Sequence, residues 1–500
     1  MEIIFYLSSG LLLGWSLGAN DAANVFGTAV GSRMVRFATA AAVCAVFVIL
    51  GAVFAGAGAT HTLGRLGAVN SLAGSFTVAL AAAVATFGMT RLGLPISTSQ
   101  AVVGAIIGWN VYADMLTDTG ALADIVVSWV LCPVLAAIIA VLLYLALRVM
   151  LRRSRLHLLR QDALVRAGLL AVGAFGAFSL GANNVANVVG VFLPDNPFTD
   201  IDVLGIEVSA AQQLFLLGGA AIATGVVTYS GEVMRTVGTS IMRLTPEAAF
   251  VVVLAHAIVL FVFASESLEG WLASHGLPTL PLVPVSSSQA VIGAIVGLGL
   301  LHGRRHLRPR ALGSVALGWL ATPVTAGVVA FVLLFFVDNV FDQSVVEPVR
   351  YTVDTAVIER ARAEGLPADD LGDLEGYRTT NALRLQQRLE HEVGLDRHQA
   401  RDVIELAEVV LIHVDLGRAN LELDRDWLAL DQLRGLRSLA DRRFRHAWQF
   451  HDALAEASPL WRLREDTPLN RSWNREVRQK REYLERTFRE TTRRDDHDPI

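Results

Sequence analysis

Long apolar stretches separated by short polar segments make up the first 337 residues of this chain. Apolar stretches of about 20 residues are long enough to cross a hydrocarbon core of about 30 Å. The clearest lie at 38–58, 124–147, 208–228, 248–264 and 311–337. From Asp338 onward charged residues are frequent, and apolar residues recur at helical spacing. The pattern predicts an all-α polytopic protein of the cell membrane, joined to a charged helical C-terminal domain.

Three sequence blocks occur twice, in the same order. The matching pairs are SLGANDAANVFG (16–27) with SLGANNVANVVG (179–190), LPISTSQAVVGAIIG (94–108) with VPVSSSQAVIGAIVG (283–297), and SWVLCPVLAAIIA (128–140) with GWLATPVTAGVVA (318–330). A fixed order of similar blocks indicates internal structural repeats. We therefore predict two transmembrane repeats containing broken or re-entrant helices.

The arginine clusters predict the orientation of these repeats, because cytoplasmic loops are rich in arginine and lysine. Four clusters lie at 33–36, 152–160, 235–243 and 304–310. Placing all four in the cytoplasm requires an odd number of crossings per half, so the second half is inverted and both ends of the membrane region lie outside. About five spans per half fit, at roughly 3–20, 38–60, 72–90, 94–112 and 124–148, then 163–190, 208–230, 247–264, 283–300 and 311–337.

These boundaries divide the chain into four regions. They are a first transmembrane repeat at 1–150, a second, inverted repeat at 151–337, a charged helical domain at 338–490 and a disordered tail at 491–500. In the charged domain we expect four or five amphipathic helices. Its tryptophans, Trp427, Trp448, Trp461 and Trp473, are expected to be packing residues. Its histidines have no spacing typical of a metal site.

Composition excludes several classes of protein. The chain is 53% hydrophobic and 18% charged, and its net charge of −5 sums two regions that face different solvents. Cys44 and Cys132 both lie in apolar spans, so no disulfide framework is expected. The start, MEIIFYLSSG, has no basic region and predicts a retained first span. The spans contain no nucleophile–base pair, so we expect no enzyme, and no feature indicates nucleic-acid binding.

The phrase GANDAANVFG places Asn20, Asp21 and Asn24 inside an apolar span, between Gly18 and Gly27. Glycines let neighbouring backbones approach closely, and they also let a helix break and expose backbone groups to a ligand. A lone carboxylate at membrane depth is costly, and it is a candidate cation ligand or proton carrier. Two alternatives stay open: Asp21 caps a helix at the membrane edge, or the asparagines join helices by hydrogen bonds. The second copy supplies Asn183, Asn184 and Asn187.

The motif P-[IV]-S-[ST]-S-Q, which begins at Pro95 and at Pro284, is typical of a helix start, because the prolines end what precedes and the hydroxyls can cap the first turn. A helix N-terminus carries roughly half a positive charge and unpaired N–H groups, so it can hold an anion. Two such starts, related by an inverted repeat, are expected to converge near the membrane midplane. Simple capping is the alternative for each hydroxyl.

At these residues the chain resembles the inorganic phosphate transporter (PiT) family of phosphate permeases, over about residues 5–337. The resemblance implies symport of inorganic phosphate with Na⁺ or H⁺, without a cofactor, and often as a homodimer in the lipid bilayer. By position it implies that the cation, Na⁺ near Asp21 if sodium-coupled, is bound by Asp21, Asn20, Asn24, Asn184 and Asn187. It implies that phosphate is bound by Ser97, Thr98, Ser99, Gln100, Ser286, Ser287, Ser288, Gln289 and Asn183.

The chain departs from the family pattern at titratable positions. Asn184 stands where many members have a second aspartate, and Gln100 and Gln289 stand where many have histidine. Val48 and Val253 align with intramembrane glutamates of some members, with His256 close to the latter. Fewer titratable groups favour Na⁺ over H⁺ as the coupled ion.

We therefore expect a secondary active transporter that imports inorganic phosphate by alternating access. A sulfate or other oxyanion permease of the same fold is the alternative, because phosphate and sulfate are similar tetrahedral oxyanions. An anion channel fits less well, since a channel needs a continuous polar pore and the polar patches here are discontinuous.

Overall fold

The protein divides into two compact units in the computed structural model. The helical unit comprises Met1–Glu269 and Thr279–Glu347, and the C-terminal unit comprises Gly270–Pro278 and Pro348–Ile500. The predicted boundaries at 150 and 337 stay predictions. The structure describes residues 2–67, 69–91, 96–153, 157–194, 196–198, 201–203, 206–231, 233–234, 245–303, 309–367, 370–417, 427–465, 467 and 470–490. The predicted disordered tail at 491–500 lies outside these residues.

Helices α1 to α12 make up nearly all of the membrane region. They are α1 Glu2–Gly31, α2 Phe37–Ala55, α3 Ala57–Leu66, α4 Leu72–Arg91, α5 Thr98–Tyr112, α6 Thr119–Arg153, α7 Leu158–Val189, α8 Ala210–Thr228, α9 Pro246–Ala264, α10 Glu266–Ser274, α11 Ser287–His302 and α12 Pro309–Asn339. A 3₁₀ turn, Gly190–Phe192, follows α7, and a two-stranded antiparallel ribbon of β1 Ile201–Val203 and β2 Ile206–Val208 precedes α8.

Among the described residues, eight helices are long and apolar enough to cross a membrane: α1, α2, α4, α6, α7, α8, α9 and α12. About five spans per half were predicted, with re-entrant segments able to change the count, and two of the ten predicted segments are not among these eight. The difference is α5 and α11, which have 15 and 16 residues. At 1.5 Å per residue they are about 22–24 Å long, shorter than a hydrocarbon core of about 30 Å. Both begin after extended backbone, as the starts of re-entrant segments would.

The polar residues of both repeated phrases lie inside continuous helices. Helix α1 runs unbroken to Gly31, and α7 runs unbroken to Val189. The predicted helix breaks at the glycines are therefore wrong. The glycines serve close packing instead. A Cβ atom on Gly18 would collide with the carbonyl oxygen of Ile222 in α8, and one on Gly181 with that of Val48 in α2. Small residues at such crossings let backbones approach, as in other membrane helix pairs.

The two sequence halves pack into each other in matching pairs. Helix α1 packs on α8 and α2 on α7, while α5 packs on α12 and α11 on α6. The glycines repeat the match, because Gly104 faces the carbonyl oxygen of Pro323 and Gly293 faces that of Pro133. Two repeats related by a two-fold axis would make these contacts, which supports the predicted repeat.

Both ends of the helical unit lie on one side. Tyr6 at the start of α1 donates a hydrogen bond from its hydroxyl to Gln343 Oε1, which follows α12, at 3.0 Å. The segment after α12 also contacts α5, where Trp109 Nε1 donates to the carbonyl oxygen of Val345 at 3.0 Å. The predicted parity of crossings requires this arrangement. Which side faces the cytoplasm stays a prediction.

The C-terminal unit combines helices with two small antiparallel pairs of strands. Its helices are α13 Thr355–Ala363, α14 Ala382–His391, α15 Arg397–Ala407, α16 Leu430–Arg437, α17 Ala447–Ala457 and α18 Arg471–Phe488. Its strands are β3 Tyr351–Thr352, paired with β4 Arg378–Thr379, and β5 Ile412–His413, paired with β6 Arg443–Phe444. The described residues thus contain six helices where four or five were predicted. Short helices such as the eight-residue α16 escape a periodicity argument.

Tryptophans of the C-terminal unit pack into it. The indole of Trp461 is fully buried, and its Nε1 donates to the carbonyl oxygen of Gln432 at 3.2 Å. Trp448 Nε1 likewise donates to the carbonyl oxygen of Leu406 at 3.1 Å. A buried indole normally pairs its N–H in this way. These contacts support the predicted packing role.

A carboxyl group is buried beside α17. Burial, with the nearby Glu408 carboxyl, raises the pKa of Glu485 to about 7. His451 Nε2 lies 3.6 Å from Glu485 Oε2, and burial lowers the pKa of this imidazole to about 4. Near neutral pH the histidine is therefore uncharged and forms no ion pair with the carboxylate.

We predict that Gly104→Ala destabilises the helical unit by about 1–3 kcal/mol, because its methyl group forces α5 away from α12. The matched control is Gly88→Ala in α4, where a Cβ meets nothing within 4 Å. Alanine is the better helix former, so the control should melt at the same temperature or higher. Thermal unfolding of the purified full-length variants measures this. Equal melting temperatures for both variants would contradict the packing role of Gly104.

We predict that Glu485→Gln reduces the pH dependence of stability. The folded-state pKa of Glu485 is raised from 4.5 to about 7, so its contribution to stability is full below pH 4.5 and is lost as pH rises through 7. The loss is on the order of 1–3 kcal/mol, and glutamine removes it. Melting temperatures between pH 5 and pH 8 test this, with the exposed Glu482→Gln as control. Identical pH profiles for wild type and Glu485→Gln would refute it.

Candidate functional site

The starts of α5 and α11 are built alike. Ser97 Oγ accepts a hydrogen bond from the backbone N–H of Gln100 at 3.3 Å, and Ser286 Oγ accepts one from that of Gln289 at 3.3 Å. Both serines have extended backbone, as N-cap residues do. Capping thus accounts for these two hydroxyls as acceptors. Pro95, predicted to precede the first of these starts, lies outside the described residues.

Two serines connect the helix starts to each other. Ser99 Oγ, in the first turn of α5, donates to the carbonyl oxygen of Val285 at 3.3 Å. Ser288 Oγ, in the first turn of α11, donates to the carbonyl oxygen of Ile96 at 2.9 Å. The two bonds are equivalent under the sequence repeat. They bring the positive ends of two helix dipoles together, as the repeat predicts.

Asparagines of α7 hold this junction. Asn183 Nδ2 donates to the carbonyl oxygen of Val285 at 2.6 Å, and its Oδ1 accepts the Val285 backbone N–H at 2.9 Å. Its second amide hydrogen goes to Asn184 Oδ1 at 3.0 Å. Asn187 Nδ2 donates to Ser99 Oγ at 2.9 Å and to Asn184 Oδ1 at 3.3 Å. Because both amide hydrogens of Asn183 are used by the protein, binding phosphate there would require one of these bonds to break.

Asp21 of α1 lies beside the same asparagines. Its carboxylate accepts from Asn24 Nδ2 and from Asn184 Nδ2, each at 3.4 Å. Asn24 Nδ2 also donates to Ser287 Oγ at 2.9 Å. Asn20, whose repeat equivalent is the fully bonded Asn183, makes no side-chain hydrogen bond in the part of the chain that the structure describes. The two signature phrases thus meet, with Asp21 in contact with the residue that replaces it in the second copy.

The chemistry around Asp21 suits a hard monovalent cation better than a divalent metal. One carboxylate, amide oxygens and hydroxyls are available, and hard cations prefer oxygen ligands. Within the described ranges, no group of three or more His, Cys, Asp or Glu residues could hold a metal ion. The hydrogen bonds that Asp21 accepts are long, so its oxygens remain able to coordinate a cation.

The predicted phosphate ligands separate into two groups. The hydroxyl hydrogens of Ser99 and Ser288 go to backbone carbonyls, and Ser286, 3.0 Å from Ser288 Oγ, therefore donates to that oxygen. The hydroxyl hydrogens of Ser97 and Thr98 have no protein acceptor among the described residues, and the Ser287 hydroxyl lies 2.9 Å from His256 Nε2, where the tautomer of the ring decides which atom donates. In addition, the buried Oε1 atoms of Gln100 and Gln289 lack a hydrogen-bond partner in that part of the structure.

Sequence reasoning did not assign a role to His256. This fully buried residue of α9 places its Nε2 atom 2.9 Å from Ser287 Oγ. The backbone groups of Ile96 and Val285 were missed as well, since no side-chain pattern marks them. For His256 the available signal was a single imidazole in an otherwise apolar span.

The residues of this site lie in the part of the chain that is similar to known proteins. A model of the phosphate transporter family matches residues 17–330 and 277–404. A predicted phosphate permease of Pyrococcus abyssi is 25% identical over 406 residues, which cover 66% of this chain and 96% of the relative. The sulfate permease of Bacillus subtilis is 28% identical over 343 residues, which cover 67% of this chain and 87% of the relative.

The fold is also that of a solved structure. The chain is similar to the structure titled the sodium-dependent phosphate transporter, with a TM-score of 0.54 and 21% sequence identity. The match covers 68% of this chain and 99% of the other. With eight membrane-length helices among its described residues, the protein is a multi-pass integral membrane protein. Because the family model matches well over half of its length, the chain belongs to the phosphate transporter family.

Proposed function

We propose that the protein imports inorganic phosphate together with Na⁺ by alternating access. The observation that carries this proposal is the junction of the α5 and α11 starts beside Asp21. Two helix N-termini provide positive partial charge for an oxyanion, and one carboxylate beside them provides negative charge for a cation. Binding of either ion therefore favours binding of the other, as symport requires.

Phosphate binds at the junction through donors that the protein leaves unused. The hydroxyls of Ser97, Thr98 and Ser287 supply hydrogens to phosphate oxygens, together with the first backbone N–H groups of the two helices. The unpartnered Oε1 atoms of Gln100 and Gln289 accept the hydrogen of a protonated phosphate oxygen. Sulfate carries no such hydrogen at neutral pH.

Sodium binds at Asp21, with Asn20, Asn24, Asn184 and Asn187 as the neighbouring amide ligands. The fold neighbour is named sodium-dependent, which supports this choice of ion. Asn184 in place of a second aspartate keeps the site to one fixed charge, so one monovalent cation neutralises it.

Alternating access uses the paired halves. Each short helix, α5 or α11, packs on a long helix of the opposite half, so the α5–α12 and α11–α6 pairs move as units when access to the junction changes. The homodimer that the family resemblance implies stays a prediction. Transport of sulfate is the second candidate function, because the relatives of this chain include a sulfate permease, 28% identical over 343 residues.

Uptake of radiolabelled phosphate into proteoliposomes tests the proposal. An inward Na⁺ gradient should drive accumulation, an inward H⁺ gradient alone should not, and equimolar sulfate should leave most of the uptake. Abolition by equimolar sulfate would replace phosphate with sulfate as the substrate. Accumulation driven by H⁺ alone would replace Na⁺ as the coupled ion.

We predict that Asp21→Asn lowers Na⁺-driven phosphate uptake at least ten-fold, because it removes the fixed charge of the cation site. The matched control is Asp162→Asn near the start of α7, an exposed aspartate bonded to Arg166 at 3.1 Å, which should transport normally. Near-normal Na⁺-driven uptake by Asp21→Asn would eliminate the assigned role of this carboxylate.

We predict that Asn184→Asp alters coupling, because a second carboxylate in contact with Asp21 binds an additional cation or a proton. The Hill coefficient for Na⁺ and the pH profile of uptake report the change. An unchanged Hill coefficient with an unchanged pH profile would show that Asn184 only packs against Asp21.

A further inference from the structure

The imidazole of His256 lies at the junction of the α5 and α11 starts and has no assigned role there. The residue is fully buried in α9. Its Nε2 lies 2.9 Å from Ser287 Oγ, and its Nδ1 is buried without a hydrogen-bond partner among the described residues. The partner of this ring is a hydroxyl and not a carboxylate. The ring is therefore neutral, because an unpaired buried charge is too costly.

The unpartnered Nδ1 atom indicates which nitrogen of the neutral ring carries the hydrogen. If Nδ1 carried the hydrogen, a buried N–H donor would have no acceptor, which is among the rarest features of folded proteins. With the hydrogen on Nε2, the unpartnered Nδ1 is a bare acceptor, which is tolerated more often. His256 therefore donates from Nε2 to Ser287 Oγ.

Ser287 then has a single hydrogen-bonding capacity left. A hydroxyl oxygen accepts two hydrogen bonds and donates one. Asn24 Nδ2 donates to Ser287 Oγ at 2.9 Å, and His256 Nε2 occupies the second acceptor position. The hydroxyl hydrogen has no acceptor within the described residues. It lies in the first turn of α11, where the helix start attracts an anion.

We propose that His256 is a positioning residue for the substrate, which fixes the Ser287 hydroxyl as a dedicated donor to an oxygen of the transported oxyanion. The inference rests on the proposed function, because it assigns a role in phosphate binding at the same junction. His256 itself does not touch phosphate.

The other half of the molecule shows the contrast. Its equivalent asparagine, Asn187, donates to Ser99 Oγ, whose own hydrogen goes to the carbonyl oxygen of Val285. The serine paired with Asn24 is Ser287, one residue before the equivalent of Ser99, and it has no such carbonyl contact. In this half Ser287 Oγ accepts its second hydrogen bond from His256 Nε2. The hydroxyl hydrogen of Ser287 therefore stays available.

Two substitutions at one position test the geometry. In His256→Gln the amide nitrogen reaches the position of Nε2, whereas in His256→Asn it reaches only that of Nδ1. We expect the glutamine variant to keep the phosphate KM of the wild type within about two-fold. The asparagine variant should raise this KM about ten-fold, as expected for loss of an oriented hydrogen bond to a charged group, with a maximal rate within two-fold. The assay is Na⁺-driven uptake of labelled phosphate by the full-length protein in proteoliposomes.

A double-mutant cycle identifies the group through which His256 acts. Ser287→Ala should raise the phosphate KM about ten-fold, and His256→Asn combined with Ser287→Ala should raise it no further. The matched control is His302→Asn, a histidine at the far end of α11 whose Nε2 lies 3.0 Å from the exposed Tyr144 hydroxyl, and its KM should not change.

Equal defects in the glutamine and asparagine variants, or additive effects with Ser287→Ala, would overturn the role of His256. If His256→Asn fails to fold, an unchanged KM in Ser287→Ala overturns it by itself, and a ten-fold rise there with a normal KM in His256→Gln supports it. Absence of phosphate uptake by the wild type would instead refute the proposed function.

Discussion

The hydrogen bonding of the backbone just before α5 and α11 is the constraint on which the centre of the protein depends. The described residues there, 96–97 and 283–286, lie outside the two helices, and all but Ile96 are buried, so their backbone polar groups depend largely on partners elsewhere in the protein. Asn183 satisfies both polar groups of Val285, and Ser99 and Ser288 reach across to the opposite carbonyls. The hydroxyl hydrogens of Ser99 and Ser288 are thus used within the protein, and the proposed phosphate site uses neighbouring hydroxyls instead.

This constraint explains why the two halves are packed into each other. A short helix that begins inside the bundle needs another helix along its whole length, and glycine makes that contact close. Gly104 places α5 against the backbone of Pro323, and Gly293 places α11 against that of Pro133. In each pair one helix comes from each half, so neither half can complete the junction alone. A conformational change that keeps these pairs intact therefore moves units that contain helices of both halves, and does not separate one sequence half from the other.

The sequence allowed the main features to be predicted because the junction is spelled twice. The repeated PxSxSQ phrases indicated helix starts that meet, the repeated GAN phrases indicated the polar residues beside them, and apolar length indicated most of the long helices. Of the two roles predicted for the glycines, close approach of backbones is seen and helix breaking is not, since the two roles look the same in one dimension. The role of His256 was also out of reach. It depends on which hydroxyl the ring faces, and the sequence does not reveal how α9 packs on α11, since α10 and a non-helical segment lie between them.

The residues that depart from the internal symmetry lie together and are linked by hydrogen bonds. Asp21 replaces an asparagine, Asn24 bonds Ser287 and not the equivalent of Ser99, and His256 donates to that same serine. A continuous set of hydrogen bonds therefore links the carboxylate to the hydroxyl at the start of α11. If a cation binds at Asp21 as proposed, it competes with Asn24 for the carboxylate and so changes the hydrogen bond from Asn24 to Ser287. Asymmetry between otherwise similar halves would in this way connect the two ion sites of the proposed function, which a symmetric site with both hydroxyl hydrogens bonded to carbonyls would not do.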